Sequence, residues 1–149
     1  MQRFKLESNK AISQREDNIR LSKLKDKKII WITTADGSSR TLFQDFKKRS
    51  RFINNIEEIS ADCMYEIFNN DSIKIEQTDI LIITITSSHN PFDEIKVRAK
   101  EYYAKFILIK CDSDIVDKFP DGVKVLEKNK EYISNLNSTI FNILERKML

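Results

Sequence analysis

The chain has 149 residues, 40% hydrophobic and 33% charged, which suits one domain with a core and excludes a disordered tail or an integral membrane protein. Its net charge is +3, with two glycines, two prolines, two cysteines and one histidine. That composition excludes collagen-like and proline-rich classes, glycine-rich phosphate loops and zinc fingers. Residues 1–28 lack the apolar stretch of a signal peptide, and the longest mostly apolar run, residues 80–85, is far short of the ~20 residues that span a bilayer. Cytoplasm is the expected compartment, where Cys63 and Cys111 stay reduced and structural.

Residues 1–26 read as a basic helical extension with a thin apolar stripe from Ile12, Ile19, Leu21 and Leu24. Residues 28–33 form a β-branched and aromatic run that fits a buried strand. Asp36-Gly37 is turn chemistry, and Ser38 or Ser39 is expected to cap a helix running to about Ser50. A weak strand is expected within residues 53–59 and a short helix over residues 61–69. Residues 80–86 are the clearest strand. Asn90-Pro91-Phe92-Asp93 then starts a helix to about Ala104, with Asn90 as cap and Pro91 at the first position. Residues 106–109 read as a strand, residues 115–119 as a brief helix and residues 123–126 as an edge strand. A closing helix over residues 128–148 carries Ile133, Leu136, Ile140 and Leu144 at helical spacing.

Strands alternating with helices require right-handed crossovers and a parallel sheet covered on both faces. The expected fold is therefore a single α/β domain over residues 27–149, three-layered and Rossmann-like. About five mostly parallel strands in the order 2-1-3-4-5 make it flavodoxin-like.

Charge is unevenly distributed. Residues 1–52 carry 14 Lys/Arg against 6 Asp/Glu, and residues 53–149 carry 12 against 17. Such polarity points the N-terminal region toward an anionic partner: nucleic acid, an acidic protein surface or a second copy of this chain. The same residues also fit the solvated faces of two helices, and no recognised nucleic-acid motif accompanies them. Phe43 and Phe46 lie among these cations, but at helical spacing with Leu42 they read as core.

In an open α/β sheet, ligands bind beyond the carboxyl ends of the strands at the switch between the first and third. That rule selects Thr34, Asp36, Ser38, Ser39 and Arg40 after the first strand. It also selects Ser87, Ser88, His89 and Asn90 after the third, with Asp112 beside them after the fourth. Hydroxyls, an arginine and helix starts suit a phosphate or carboxylate, although serines and asparagine at such places also simply cap helices. His89 is the candidate catalytic group, as ligand donor or as general acid or base. A Ser-His-Asp hydrolase from Ser38 or Ser88, His89 and Asp36 lacks the G-x-S-x-G elbow. No metal site is read from the sequence, and no cofactor is identified.

The segment from Asp79-Ile80-Leu81-Ile82-Ile83-Thr84 to Ser88-His89-Asn90, with Lys96, Ala99, Lys100 and the strand over residues 106–109, resembles the bacterial domain-of-unknown-function family 2325. The resemblance covers roughly a quarter of the chain, and Thr34-Ala35-Asp36-Gly37 stands where that family often has Gly-Gly. It implies a Rossmann-like fold and a role for Ser88 and His89, without an activity. A phosphoacceptor receiver needs an aspartate ending the third strand, where this chain has Thr86-Ser87-Ser88. A flavodoxin's flavin needs stacking aromatics that the later loops lack. The functional expectation is a small-ligand or nucleotide-binding domain, regulatory or part of a larger system. The alternative is an enzyme using His89 on a phosphorylated or carboxylated substrate.

Overall fold

The computed structural model describes residues 27–33, 37–50, 56–60, 75–86, 90–112, 114–115 and 118–147. Five strands form one sheet: β1 (Ile29–Thr33), β2 (Ile56–Ser60), β3 (Ile80–Ile85), β4 (Phe106–Lys110) and β5 (Lys124–Glu127). Their order is β2-β1-β3-β4-β5, and every neighbouring pair is parallel. Three α-helices are described: α1 (Gly37–Arg49), α2 (Phe92–Arg98) and α3 (Tyr132–Lys147). Short 3-10 turns occupy Ile75–Gln77 and Lys100–Lys105.

Side chains of successive strand residues point to opposite faces, and here both faces are apolar. Ile29 and Trp31 of β1, Ile80 and Ile82 of β3, and Ile107 and Ile109 of β4 pack with Leu42, Phe43 and Phe46 of α1 and with Leu136, Ile140 and Leu144 of α3. Ile30, Ile32, Leu81, Ile83, Phe106 and Leu108 turn the other way, against Ile95 of α2, Ala99, Ile115 and Phe119. The result is a three-layer α/β, Rossmann-like fold. Trp31 anchors the first layer, with its ring centroid 5.5 Å from those of both Phe43 and Phe46. Its indole Nε1 donates a 2.8 Å bond to Thr84 Oγ1, so the one polar atom of the ring is satisfied in a fully buried site.

The register between β1 and β3 is clasped at its amino end. Lys28 N donates to Asp79 Oδ2 at 2.8 Å, while Asp79 N donates back to Lys28 O at 2.9 Å. At the carboxyl end, Cys111 N donates to Ile85 O at 3.0 Å, which carries the β3–β4 ladder one residue past β4.

The weak second strand is Ile56–Ser60, within one residue of the expected span, with Ile56 on one sheet face and Ile59 on the other. Several local expectations are corrected. Ser38 and Ser39 lie inside the first turn of α1, which starts at Gly37, so neither is its cap. Pro91, lacking an N–H, takes the cap position of α2, while Asn90 Oδ1 accepts from Phe92 N at 3.2 Å in an Asx-type turn. That helix stops at Arg98, and Lys100–Lys105 tightens into 3-10 geometry, a common exit from a helix into a connection. Ile115 and Phe119 bury their side chains, but neither they nor Lys118 is helical. Pro120 disfavours helical backbone at Phe119. Asn129 ends the idea of a helix from Lys128: its Oδ1 accepts from Glu131 N at 3.0 Å, and α3 begins at Tyr132. The expected basic helical extension at residues 1–26 and the helix at residues 61–69 lie outside the described residues.

Candidate functional site

Parallel pairing places the carboxyl ends of all five strands along one edge, and β1 and β3 are the neighbours from which the chain departs in opposite directions. After β1 the chain crosses to α1 on one face, and after β3 to α2 on the other. This is the switch point where open α/β sheets form a crevice. Its β1 side has a defined polar cluster. Thr33 Oγ1 donates to Glu58 Oε1 at 3.0 Å, and Arg40 Nε lies 3.4 Å from the same carboxylate oxygen. Glu58 shares a sheet face with Thr33 because β1 and β2 pair Trp31 with Glu58 and Thr33 with Ser60. The carboxylate is 21% exposed and the guanidinium 67%, so the cluster opens from the sheet edge into solvent.

On the β3 side, Thr84 and Thr86 are buried below the edge, and Asn90 is half-buried where α2 begins. Asp112 and Cys111 are half-buried past β4, and the 3.0 Å bond from Cys111 N to Ile85 O sets them beside the end of β3. Lys110, the last residue of β4, has Nζ 3.6 Å from Glu127 Oε1 of β5.

The structure therefore brings Arg40 to the predicted edge and gives it a carboxylate partner that the sequence reading did not include. Glu58 was hidden in a strand with two adjacent glutamates, and only the β1–β2 register makes it part of the edge. Asn90 and Asp112 stand at the same edge after β3 and β4. Ser38 and Ser39 belong with Arg40 to the first turn of α1, which starts at that edge. Thr34, Asp36, Ser87, Ser88 and His89 lie outside the described residues. Among the described residues, no three His, Cys, Asp or Glu side chains gather as metal ligands do, and no helix is long and apolar enough to cross a membrane.

A second polar feature lies between α1 and α3. A groove of about 550 Å³ is lined by Thr41, Leu42, Gln44, Asp45, Lys48, Lys128 and Tyr132. Tyr132 donates its hydroxyl to Asp45 Oδ2 at 2.7 Å, and Arg49 Nη1 lies 3.3 Å from the same oxygen. The Tyr132 bond, with Arg49 and Lys48 assisting, holds the Asp45 carboxyl below its ordinary range despite the opposing effect of burial. Burial first, and then the bond to Asp45, pushes the Tyr132 hydroxyl well above its usual value.

No protein-family model matches the chain, and no curated protein matches it.

Proposed function

We infer that this chain is a small-ligand or nucleotide-binding domain whose anion site lies at the carboxyl ends of β1 and β3. The observation that carries this reading is the β2-β1-β3-β4-β5 order, which sets the switch point between those two strands. Arg40 supports it. Its guanidinium meets Glu58 through Nε, and its terminal nitrogens are the donors that a phosphate or carboxylate would engage. Glu58 and Thr33 hold that guanidinium at the edge. The amides of the α1 first turn add the partial positive charge of a helix start. The partial likeness to family 2325 directs attention to Ser88 and His89.

A thermal-shift screen of nucleotides and phosphorylated metabolites tests the reading. A ligand at 100 times its dissociation constant stabilises the protein by roughly 2.7 kcal/mol. Arg40→Ala should remove that shift, and a panel that moves neither protein removes the reading. His89→Ala then asks whether the site only binds: retained binding with loss of turnover on a phosphorylated ligand marks an acid–base role.

A further inference from the structure

The last turn of α1 carries Lys47, Lys48 and Arg49, all exposed. Lys48 and Lys128 both line the 550 Å³ groove, and an adjoining hollow of about 530 Å³ is lined by Phe43, Gln44, Lys47 and Lys48. Among the described residues that line the groove, the one carboxylate, Asp45, is already engaged by the Tyr132 hydroxyl and by Arg49. We propose that this basic groove on the α1 face binds the sugar–phosphate backbone of a nucleic acid, without reading its sequence.

Three observations favour this occupant. First, the lysines and the Gln44 amide are the kinds of donor that contact phosphates, and lysine stems and heads adapt to a repeating charged backbone. Second, the described residues of the groove lack what a protein partner needs at its centre. Interfaces between proteins are anchored by exposed aromatic or aliphatic side chains. The large exposed hydrophobic residues among those described are Val97 (70%) and Val125 (38%), and neither belongs to α1 or to the groove. Phe43, beside the lysines, is buried under α1 with Lys47 Nζ 5.5 Å from its ring centroid. Third, the charge continues along the chain: residues 1–28 carry nine Lys/Arg against four Asp/Glu and lead into β1. The proposal is independent of the carboxyl-edge ligand site.

The test titrates a fluorescent duplex oligonucleotide of arbitrary sequence with the full chain at about 50 mM and about 200 mM salt. If three lysines each neutralise one phosphate, affinity should fall roughly 40-fold or more between those two conditions. Lys47→Glu with Lys48→Glu should weaken binding by at least about tenfold at the lower salt. Lys96→Glu with Lys100→Glu, on the α2 side, should change it little. A milder triple variant, Lys47→Ala, Lys48→Ala and Lys128→Ala, is read in parallel, and thermal midpoints of all variants establish that they fold. The proposal is overturned if the full chain gives no saturable binding at the lower salt, or if the α1 variants behave like the α2 control. It is also overturned if a labelled polyglutamate binds as tightly as the oligonucleotide, since an acidic protein would then fit the groove equally well.

Discussion

Tyr132 and Asp45 are 87 residues apart in the chain, yet a 2.7 Å hydrogen bond joins them where α3 starts beside α1. Removing it with Tyr132→Phe should cost about 1–2 kcal/mol, since a bond to an ionised acceptor is stronger than a neutral one. The signs of the two shifts set the pH window. Asp45 is lowered, so its contribution is present above an unfolded pKa of about 3.9 and fades as pH falls through the folded value. Tyr132 is raised, so its contribution is present below about pH 10 and fades as pH rises beyond that. Urea unfolding of both proteins across pH should show the gap widest between about pH 5 and pH 9, narrowing on either side.

The buried Trp31–Thr84 bond should behave as a unit. Thr84→Val strands the indole N–H in an apolar layer and should destabilise by about 1–3 kcal/mol. Trp31→Phe loses the bond and much of the packing against Phe43 and Phe46, and should cost about 3 kcal/mol. The double variant should cost less than the two singles together, because each single leaves a polar group without its partner. A double-mutant cycle from denaturant midpoints reads the coupling directly.

Gly122 holds φ at +101°, a backbone conformation that side chains strongly disfavour. A Cβ there would also stand 3.3 Å from Tyr103 Cβ, tighter than comfortable contact. Gly122→Ala should therefore lower stability by about 1–3 kcal/mol, measured as a drop in thermal midpoint.

Arg40 offers the opposite profile. Its side chain is largely exposed and Glu58 keeps the bond from Thr33, so Arg40→Ala should change stability by less than about 0.5 kcal/mol. Binding of any phosphate-bearing ligand at the carboxyl edge should nevertheless be lost. Calorimetry of the variant against the ligand that shifts the wild type separates the two effects. Retained affinity would place the anion elsewhere.

The layers of this fold are legible wherever burial is two-sided. Ile80-Leu81-Ile82-Ile83 can only be a strand sealed on both faces, and Ile29-Ile30-Trp31-Ile32 says the same of β1. Strand order follows, since the alternation with helices leaves few parallel arrangements. Legibility drops where a residue's neighbours come from distant chain. Glu58 looks like a solvated edge glutamate until the pairing of β1 with β2 sets it against Thr33 and Arg40. The Asp45–Tyr132 contact is invisible to any local pattern, because it depends on how α1 and α3 share one sheet face. The opposite error occurs at Ile115 and Phe119, whose four-residue spacing imitates a helix although neither is helical and Pro120 disfavours helical backbone at Phe119. The strand-end rule located Arg40, Asn90 and Asp112 at one edge, but it has no means of saying which of them would already have partners.

The clasp between Lys28 and Asp79 has a kinetic meaning. β1 sits between β2 and β3, and its partner in β3 begins some fifty residues later, so the central pairing closes a long loop before it gains any ladder. The two reciprocal bonds act at the amino end of that pairing and define where the strands align. A one-residue slip would turn Trp31 and its layer to the wrong face. Asp79 is thus suited to act as a starting stitch: its loss should slow refolding more than it speeds unfolding, the signature of a contact already made in the transition state.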